Sequence, residues 1–367
     1  MGFPLPPTSS INWEKMDPTK PQIGRGHVEA TYSATTGEWT APRWVASPIL
    51  NINALASCLH YGQQVFEGLR AWRGPNDDIN VFRPKDNARR MAQSSAAVAM
   101  PPPSEDLFLE CMRLAIVGNS DFVPPHGNPA SLYIRPFMLG TGPQMAPVPP
   151  HEYTFYVFVV PVYPYLGTKA IDAVILDEFD RAAPKGTGAV KVGGNYAPVM
   201  KWSEQARKQG YGMTLHLDSL THSEIDEFST SAFIGVYLND EGERTLVITD
   251  SKNVIESFTG DSCVALAKQA GWKVEKRPIP YKELSRFIEV LAAGSAASLV
   301  PVNSITRPST GDKFEYGEEK RSQLSSSTHV ELTRMLLEMQ QGKSEDVFGW
   351  RYKVEAKSDE ELRVPSD

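Results

Sequence analysis

Lys185-Gly-Thr-Gly-Ala-Val-Lys191-Val-Gly-Gly-Asn-Tyr196 is the stretch around which the rest of the chain reads as organised. Lys191 stands between Val190 and Val192 and is followed by Gly193, Gly194 and Asn195. Beyond them Val199, Trp202 and Ala206 recur at helical spacing, with Asn195 placed to cap the front of that helix and Gly210 to end it. Lys191 is therefore expected just ahead of a helix, in a glycine-rich segment that something bulky can approach closely. Between two valines on a short extended segment its amine is expected to be desolvated, which lowers its pKa and frees it as a nucleophile. The competing reading is a solvated loop lysine, the ordinary fate of a lysine near glycines. Partners elsewhere in the chain have to decide between the two.

Composition narrows the classes. A chain of 367 residues exceeds one typical core, so two lobes are expected. A net charge of -7 with no basic stripe argues against nucleic acid as a partner. No apolar run reaches the length of a membrane span, and the start, Met-Gly-Phe-Pro-Leu-Pro-Pro, has neither a secretory pattern nor an arginine-rich presequence. Gly2 sits in a poor context for myristoylation, so a cytoplasmic location is the expectation. Cys58, Cys111 and Cys263 lie far apart and the histidines are scattered, which fits a reducing compartment and leaves no metal site expected.

Along the chain, residues 1–162 read as a smaller N-terminal α/β domain, 163–176 as a linker rich in proline and glycine at its start, and 177–367 as a larger C-terminal domain. The first 50 residues read as an arm laid over something larger. Asp86-Asn87 is expected to open a helix stopped by Pro101–Pro103, and Ser104 a second one ending near Gly118. Ser131–Met138 and Tyr153–Val162 read as strands. In the second lobe Ala173–Leu176, Met213–Leu217, Ala232–Leu238, Thr245–Thr249, Trp272–Val274 and Ser298–Val302 read as strands, with a hairpin turn at Asn239–Gly242. Helices are expected from Asp261 or Ser262, over Ser285–Leu291 and over Thr328–Gln341, followed by a mobile charged tail from Lys357. The fold class is α/β (α+β), because strands cluster instead of alternating regularly with helices.

The segments His60–Trp72 (HYGQQVFEGLRAW), Phe82–Met91 (FRPKDNARRM), Leu132–Pro136 (LYIRP), Lys191–Pro198 (KVGGNYAP), 224–233 and Gly294-Ser-Ala occur in that order. Together they resemble the branched-chain-amino-acid aminotransferases, class IV aminotransferases of the fold-type IV pyridoxal 5′-phosphate (PLP) enzymes. D-amino-acid aminotransferase and aminodeoxychorismate lyase share that fold, and the resemblance spans roughly residues 25 to 345. It implies a two-domain D-amino-acid-aminotransferase-like fold, with PLP on the C-terminal domain. A lysine holding PLP as a Schiff base needs an acid facing the pyridine nitrogen, donors for the phosphate and a clamp for the substrate carboxylate.

Carried over residue by residue, Lys191 resembles the Schiff-base lysine and proton carrier, and Tyr196 the tyrosine bonded to the phenolic oxygen. Glu227 resembles the partner of the pyridine nitrogen. Arg90 matches the phosphate-binding arginine, where a planar guanidinium suits phosphate. Thr230, Phe258, Thr259 and Ser295 fall where the family holds the cofactor, the phosphate lying at the front of the helix expected near Asp261. Ser295 and Ala296 also fall where backbone amides receive the substrate carboxylate. Tyr61, Tyr133, Arg135 and Tyr165 match pocket residues, with Tyr61 and Arg135 expected from the neighbouring subunit of a homodimer. Each has a plainer reading: Glu227 as a surface acid, Arg90 as the i,i+4 partner of Asp86, the tyrosines as core aromatics, Gly294 as a turn.

Three departures stand out. Where the family commonly shows Glu-x-Gly-Thr-x-Asn, this chain has Glu227-Phe-Ser229-Thr230-Ser-Ala232. Where it shows Gly-Val/Ile-Thr-Arg-x-Ser, this chain has Ser257-Phe258-Thr259-Gly260-Asp-Ser262. The Cys-x-x-Cys of some members is Ala297-Ser-Leu-Val300, so no thiol switch is expected. What the resemblance implies is amino transfer between a hydrophobic, branched-chain-like amino acid and 2-oxoglutarate. An (R)-selective amine or D-amino-acid transaminase, a lyase, or a non-catalytic protein of the same fold are the alternatives.

Overall fold

The computed structural model describes residues 2–17, 20, 22–163, 169–296, 298–358 and 361. The chain divides into two compact units. The first comprises Met1–Tyr165, Lys191–Gly193 and Glu338–Asp367; the second Leu166–Val190 and Gly194–Leu337.

The first unit is built on a nine-stranded sheet. Its strands are β1 (His27–Ser33), β2 (Glu38–Trp39), β3 (Arg43–Val45), β4 (Gln64–Phe66), β5 (Leu69–Arg73), β6 (Ile79–Phe82), β7 (Ser131–Gly140), β8 (Glu152–Val162) and, from the end of the chain, β18 (Arg351–Val354). The order is β18-β6-β5-β7-β8-β1-β2, with β3 added to β1 and β4 to β7. The long antiparallel pair β7–β8 runs from Ser131↔Val162 to Gly140↔Tyr153. Along β7 the side chains alternate: Leu132, Ile134 and Met138 are fully buried, whereas Tyr133, Arg135 and Phe137 are half-buried on the other face. Helices α1 (Ser57–Tyr61), α2 (Pro84–Ala97) and α3 (Glu105–Val117) belong to this unit, and Phe108 of α3 stacks on Phe155 of β8 with centroids 5.7 Å apart.

The second unit carries β9 (Ile171–Ile175), β10 (Met213–Leu217), β11 (Ile225–Phe228), β12 (Ala232–Leu238), β13 (Arg244–Thr249), β14 (Lys273–Arg277), β15 (Glu289–Gly294), β16 (Ser298–Arg307) and β17 (Asp312–Glu315). Their order is β11-β10-β9-β16-β15-β12-β13-β14, with β17 on β16. Parallel pairs need a long crossover, and the one joining β9 to β10 contains α4 (Ala197–Lys208). Helix α5 (Phe258–Gln269) likewise lies between the parallel strands β13 and β14. Phe228, Phe233, Phe287 and Tyr316 anchor the core, and β12 admits Phe287 only because position 235 is glycine: a Cβ there would lie 2.6 Å from the ring. Helices α6 (Glu318–Arg321) and α7 (Thr328–Gln340) follow. The fold is mixed α/β, as the resemblance implies. Among the described residues no helix is long and apolar enough to cross a membrane.

Several local expectations are corrected. Asn195 does not cap α4; it closes a 3-10 turn, and its amide donates instead to the carbonyls of Thr187 and Val190 at 2.6 and 2.8 Å. The end of α4 is as expected: the helix stops at Lys208, and Gly210 closes it with a positive φ of 93°. Helix α2 starts at Pro84, where a missing N–H costs nothing, and ends at Ala97 before the prolines. Helix α5 starts at Phe258 because Ser257 caps it, its hydroxyl accepting from the Gly260 amide at 3.1 Å. Over Ser285–Leu291 the expected helix is a short 3-10 turn (Tyr281–Ser285) followed by β15, because Val290, Leu291, Ala292 and Ala293 form a continuous buried run and not a one-sided stripe. From His27 onward the N-terminal arm is part of the sheet, since β1 pairs with β8 over six residues. In the tail, Lys357 and Glu361 are tied to α3 through Glu110 and Arg113 at 2.7 to 2.9 Å.

Candidate active site

In the first unit the segment around Lys191 is stitched to β4. The Phe66 amide donates to the Lys191 carbonyl at 3.1 Å, the Lys191 amide donates to Ser94 Oγ at 2.9 Å, and Val192 bridges to Val65. Lys191 is half-buried, and its Nζ lies 4.8 Å from the centre of the Phe66 ring. The next two residues complete a small hub. Glu67 is fully buried and accepts from Arg90 Nε at 2.8 Å, Arg90 Nη2 at 2.7 Å and Asn87 Nδ2 at 2.7 Å. Asp86, meanwhile, pairs with Arg83 at 2.7 Å and Arg89 at 3.7 Å. Gly68 leaves room for Tyr133: a Cβ at that position would lie 2.2 Å from the Tyr133 hydroxyl. Arg135 Nη2 donates to that hydroxyl at 2.8 Å, and its guanidinium lies 4.9 Å from the Phe66 ring and 5.1 Å from the Tyr133 ring. The Arg135 Nε is buried without a hydrogen-bond partner among the described residues. Phe66-Glu67-Gly68 thus brings together Lys191, Arg90, Tyr133 and Arg135 of one chain, so Arg135, expected from the neighbouring subunit, stands beside the same Phe66 ring as its own chain's Lys191.

Tyr61 stands elsewhere in this unit, on α1, where its hydroxyl donates to the Met145 carbonyl. Leu59, Tyr61, Met145 and Val148 are all exposed there. Tyr165 lies outside the described residues.

The second unit holds the acid. Glu227 is 5% exposed on β11, directly opposite His216 of β10. Arg181 Nη2 lies 3.2 Å from Glu227 Oε1, Arg181 Nη1 donates to the Gly188 carbonyl at 3.3 Å, and its guanidinium stands 5.7 Å from the Tyr196 ring. One guanidinium therefore lies against both Tyr196 and Glu227. Sequence reasoning missed Arg181, for which the only signal was a cation in the small-residue run ahead of Lys191. It missed His216 too. That imidazole is fully buried, Nε2 lies 2.9 Å from Thr214 Oγ1, and the Phe179 ring meets it edge-on. Burial, then the Arg181 charge, pushes its pKa down to about 4, so it is neutral.

At the other end of this half, Thr230 and Gly294 adjoin: a Cβ on Gly294 would lie 3.2 Å from the Thr230 carbonyl and 2.9 Å from Ser231 Oγ. Ser295 and Ala296 follow as an exposed turn between β15 and β16. Phe258 and Thr259 open the 12-residue helix α5, whose first-turn amides suit an anion, while the Phe258 side chain is buried. A Cβ on Gly260 would lie 3.7 Å from that of Ala232, so two of the departures are neighbours. They line a cavity of 150 Å³ with Glu227, Ile255 and Ser257. An acid buried beside a cavity, a helix front and two hydroxyls fit the ring nitrogen and phosphate of PLP. The first unit, taken by itself, holds an amine and a guanidinium of the kinds that suit the aldehyde and the phosphate. The residues present fit the cofactor, and none of the described residues forms a cluster able to hold a metal ion.

Comparison with known proteins agrees. The family described as Amino-transferase class IV matches residues 64–305. The chain is 48% identical over 351 residues to the branched-chain amino acid aminotransferase gloG of Glarea lozoyensis, covering 95% of this chain and 97% of that protein. Among solved structures it resembles the Escherichia coli branched-chain amino acid aminotransferase, with a TM-score of 0.72 and 26% identity over 85% of this chain and 97% of the other. The fold also matches the branched-chain amino acid aminotransferase of Thermobaculum terrenum in its PLP form, at a TM-score of 0.71 and 19% identity, over 91% of this chain and 99% of that one. The chain belongs to the class IV aminotransferases and is a PLP-dependent aminotransferase.

Proposed function

We propose that this aminotransferase moves the amino group of a hydrophobic, branched-chain-like L-amino acid to 2-oxoglutarate, as a homodimer. The observation that carries the reading is the setting of Arg135. Its guanidinium lies against the faces of Phe66 and Tyr133, with a buried Nε that has no partner among the described residues. Aromatic faces suit an apolar side chain, and a cation among them suits a carboxylate. A site that alternates between an apolar donor and a diacid acceptor needs both.

Bound PLP supplies an aldehyde for the amine and a ring that withdraws electrons once its nitrogen is protonated. Glu227 would keep that nitrogen protonated and Tyr196 would take the phenolic oxygen; the front of α5 with Thr230 and Ser295 in the second unit, and Arg90 in the first, are the groups whose chemistry would suit the phosphate. Lys191 Nζ would take up the Cα proton of the donor and hand it to the cofactor's former aldehyde carbon instead of back to Cα. Arg135 and the amides at Ser295-Ala296 orient the substrate carboxylate. The exposed apolar side chains of Leu59, Tyr61, Met145 and Val148 favour a second copy as their cover, consistent with Tyr61 serving the neighbouring subunit. The gloG name speaks of branched-chain amino acids and supports the choice of donor.

A donor screen followed through the cofactor's own absorbance tests this. L-leucine is expected to convert the PLP form to the pyridoxamine form and 2-oxoglutarate to restore it. A D-amino acid or (R)-amine that does so while L-leucine does not would overturn the reading.

A further inference from the structure

Glu67 is the least exposed charged residue of the first unit's hub, and its bonding is unusually complete. Its amide donates to the Pro136 carbonyl at 2.7 Å, which fixes it to β7. Its carboxylate meets Arg90 fork on fork at 2.8 and 2.7 Å and takes Asn87 at 2.7 Å, with Gly68 N a further 3.3 Å contact. Glu67, Asn87 and Arg90 are 0%, 3% and 6% exposed. An ion pair this dry and this well oriented needs both members, because a buried charge stripped of its partner is strongly destabilising.

On the reading that Arg90 meets the cofactor phosphate, we propose that Glu67 is a positioning residue, the standing counter-ion of Arg90. It holds the guanidinium in place before the phosphate arrives. It then stays as a negative charge alongside the phosphate, so two anions share one cation. Like charges in one site disfavour each other. Glu67 therefore secures the apoprotein and moderates phosphate affinity. A carboxylate with only a structural part would act on every ligand alike.

The test compares PLP with pyridoxal, which has the same ring and aldehyde but no phosphate. Apoprotein is titrated with each, and the ratio of the two dissociation constants is compared across wild type, Glu67→Gln, Glu67→Asp and Arg90→Gln. Whatever differs between the free compounds cancels between variants. Glu67→Gln is expected to raise the preference for PLP about tenfold, a single nearby charge acting at a protein-like dielectric, while its apoprotein melts lower. Glu67→Asp keeps the charge and is expected to keep the wild-type preference. An unchanged or reduced preference in Glu67→Gln overturns the proposal.

Arg90→Gln is expected to lower the preference. If that loss is seen and Glu67→Gln is silent, only the part given to Glu67 fails. If Arg90→Gln leaves the preference intact, the phosphate reading beneath it fails as well. Should the Glu67→Gln apoprotein not hold its fold, the holoprotein answers through the rate of PLP loss to a trapping protein. That rate is expected to be about tenfold slower than wild type, and an equal or faster rate overturns the proposal.

Discussion

His216 offers a sharp test of the second unit, because its environment fixes a number. The imidazole is buried on β10 beside Glu227, and its pKa falls from 6.5 to about 4 through burial and the Arg181 charge. Between those values the unfolded chain binds a proton that the folded protein refuses, so stability declines as the pH falls below about 6.5 and levels off below about 4. Integrated over the step from pH 8 to pH 5, the difference in proton binding comes to about 1.5 logarithmic units, or about 2 kcal/mol. Other groups contribute to the same step, and a variant removes them by subtraction. His216→Asn has no titrating ring. Whatever its own cost at pH 8, its loss between pH 8 and pH 5 is expected to be about 2 kcal/mol smaller than that of wild type. Urea unfolding at the two pH values, followed by fluorescence with cofactor in excess, measures the difference. Equal losses in the two proteins would mean that His216 accepts a proton in the native state, and the account of a dry, neutral imidazole beside Arg181 would be wrong.

Two further substitutions probe the two halves separately. Ser257→Ala removes the cap of α5, whose hydroxyl accepts from Gly260 N at 3.1 Å; it is expected to cost about 1 kcal/mol in urea unfolding and to raise the PLP dissociation constant, and a variant that unfolds at the wild-type midpoint refutes the cap. Gly68→Ala puts a Cβ 2.2 Å from the Tyr133 hydroxyl and so displaces the group that Arg135 grips. The KM for 2-oxoglutarate is expected to rise more than that for the hydrophobic amino donor, and parallel increases would dissociate Arg135 from the diacid.

Much of this was legible because period and punctuation survive folding. Ser104 caps α3 where a serine ahead of two acids suggests, and the alternation through Ser131–Met138 becomes the two faces of β7. The same reasoning failed where two physical causes compete for one pattern. Asn195 is a good cap by type, yet two carbonyls in the turn ahead of it, those of Thr187 and Val190, take its amide. Val290 to Ala293 are apolar enough for a buried helix or a buried strand, and only pairing with β12 and β16 decides. Charged partners were the least legible of all. Glu67 was visible only as one letter of a motif, and Arg90 invited a local partner one turn away on its own helix. The bond that forms joins residues 23 apart and exists because β4, β7 and α2 present both at one place. Arg181 and Glu227 are further apart in the chain and meet for the same kind of reason. A buried charge must find its opposite wherever the strand register puts it. A motif therefore points to a candidate acid or base well before it points to the residue that sets its geometry. The residues that hold Lys191, Arg90 and Glu227 in place are the ones on which structure adds most, and Glu67 and Arg181 are where substitutions should separate cofactor grip from folding.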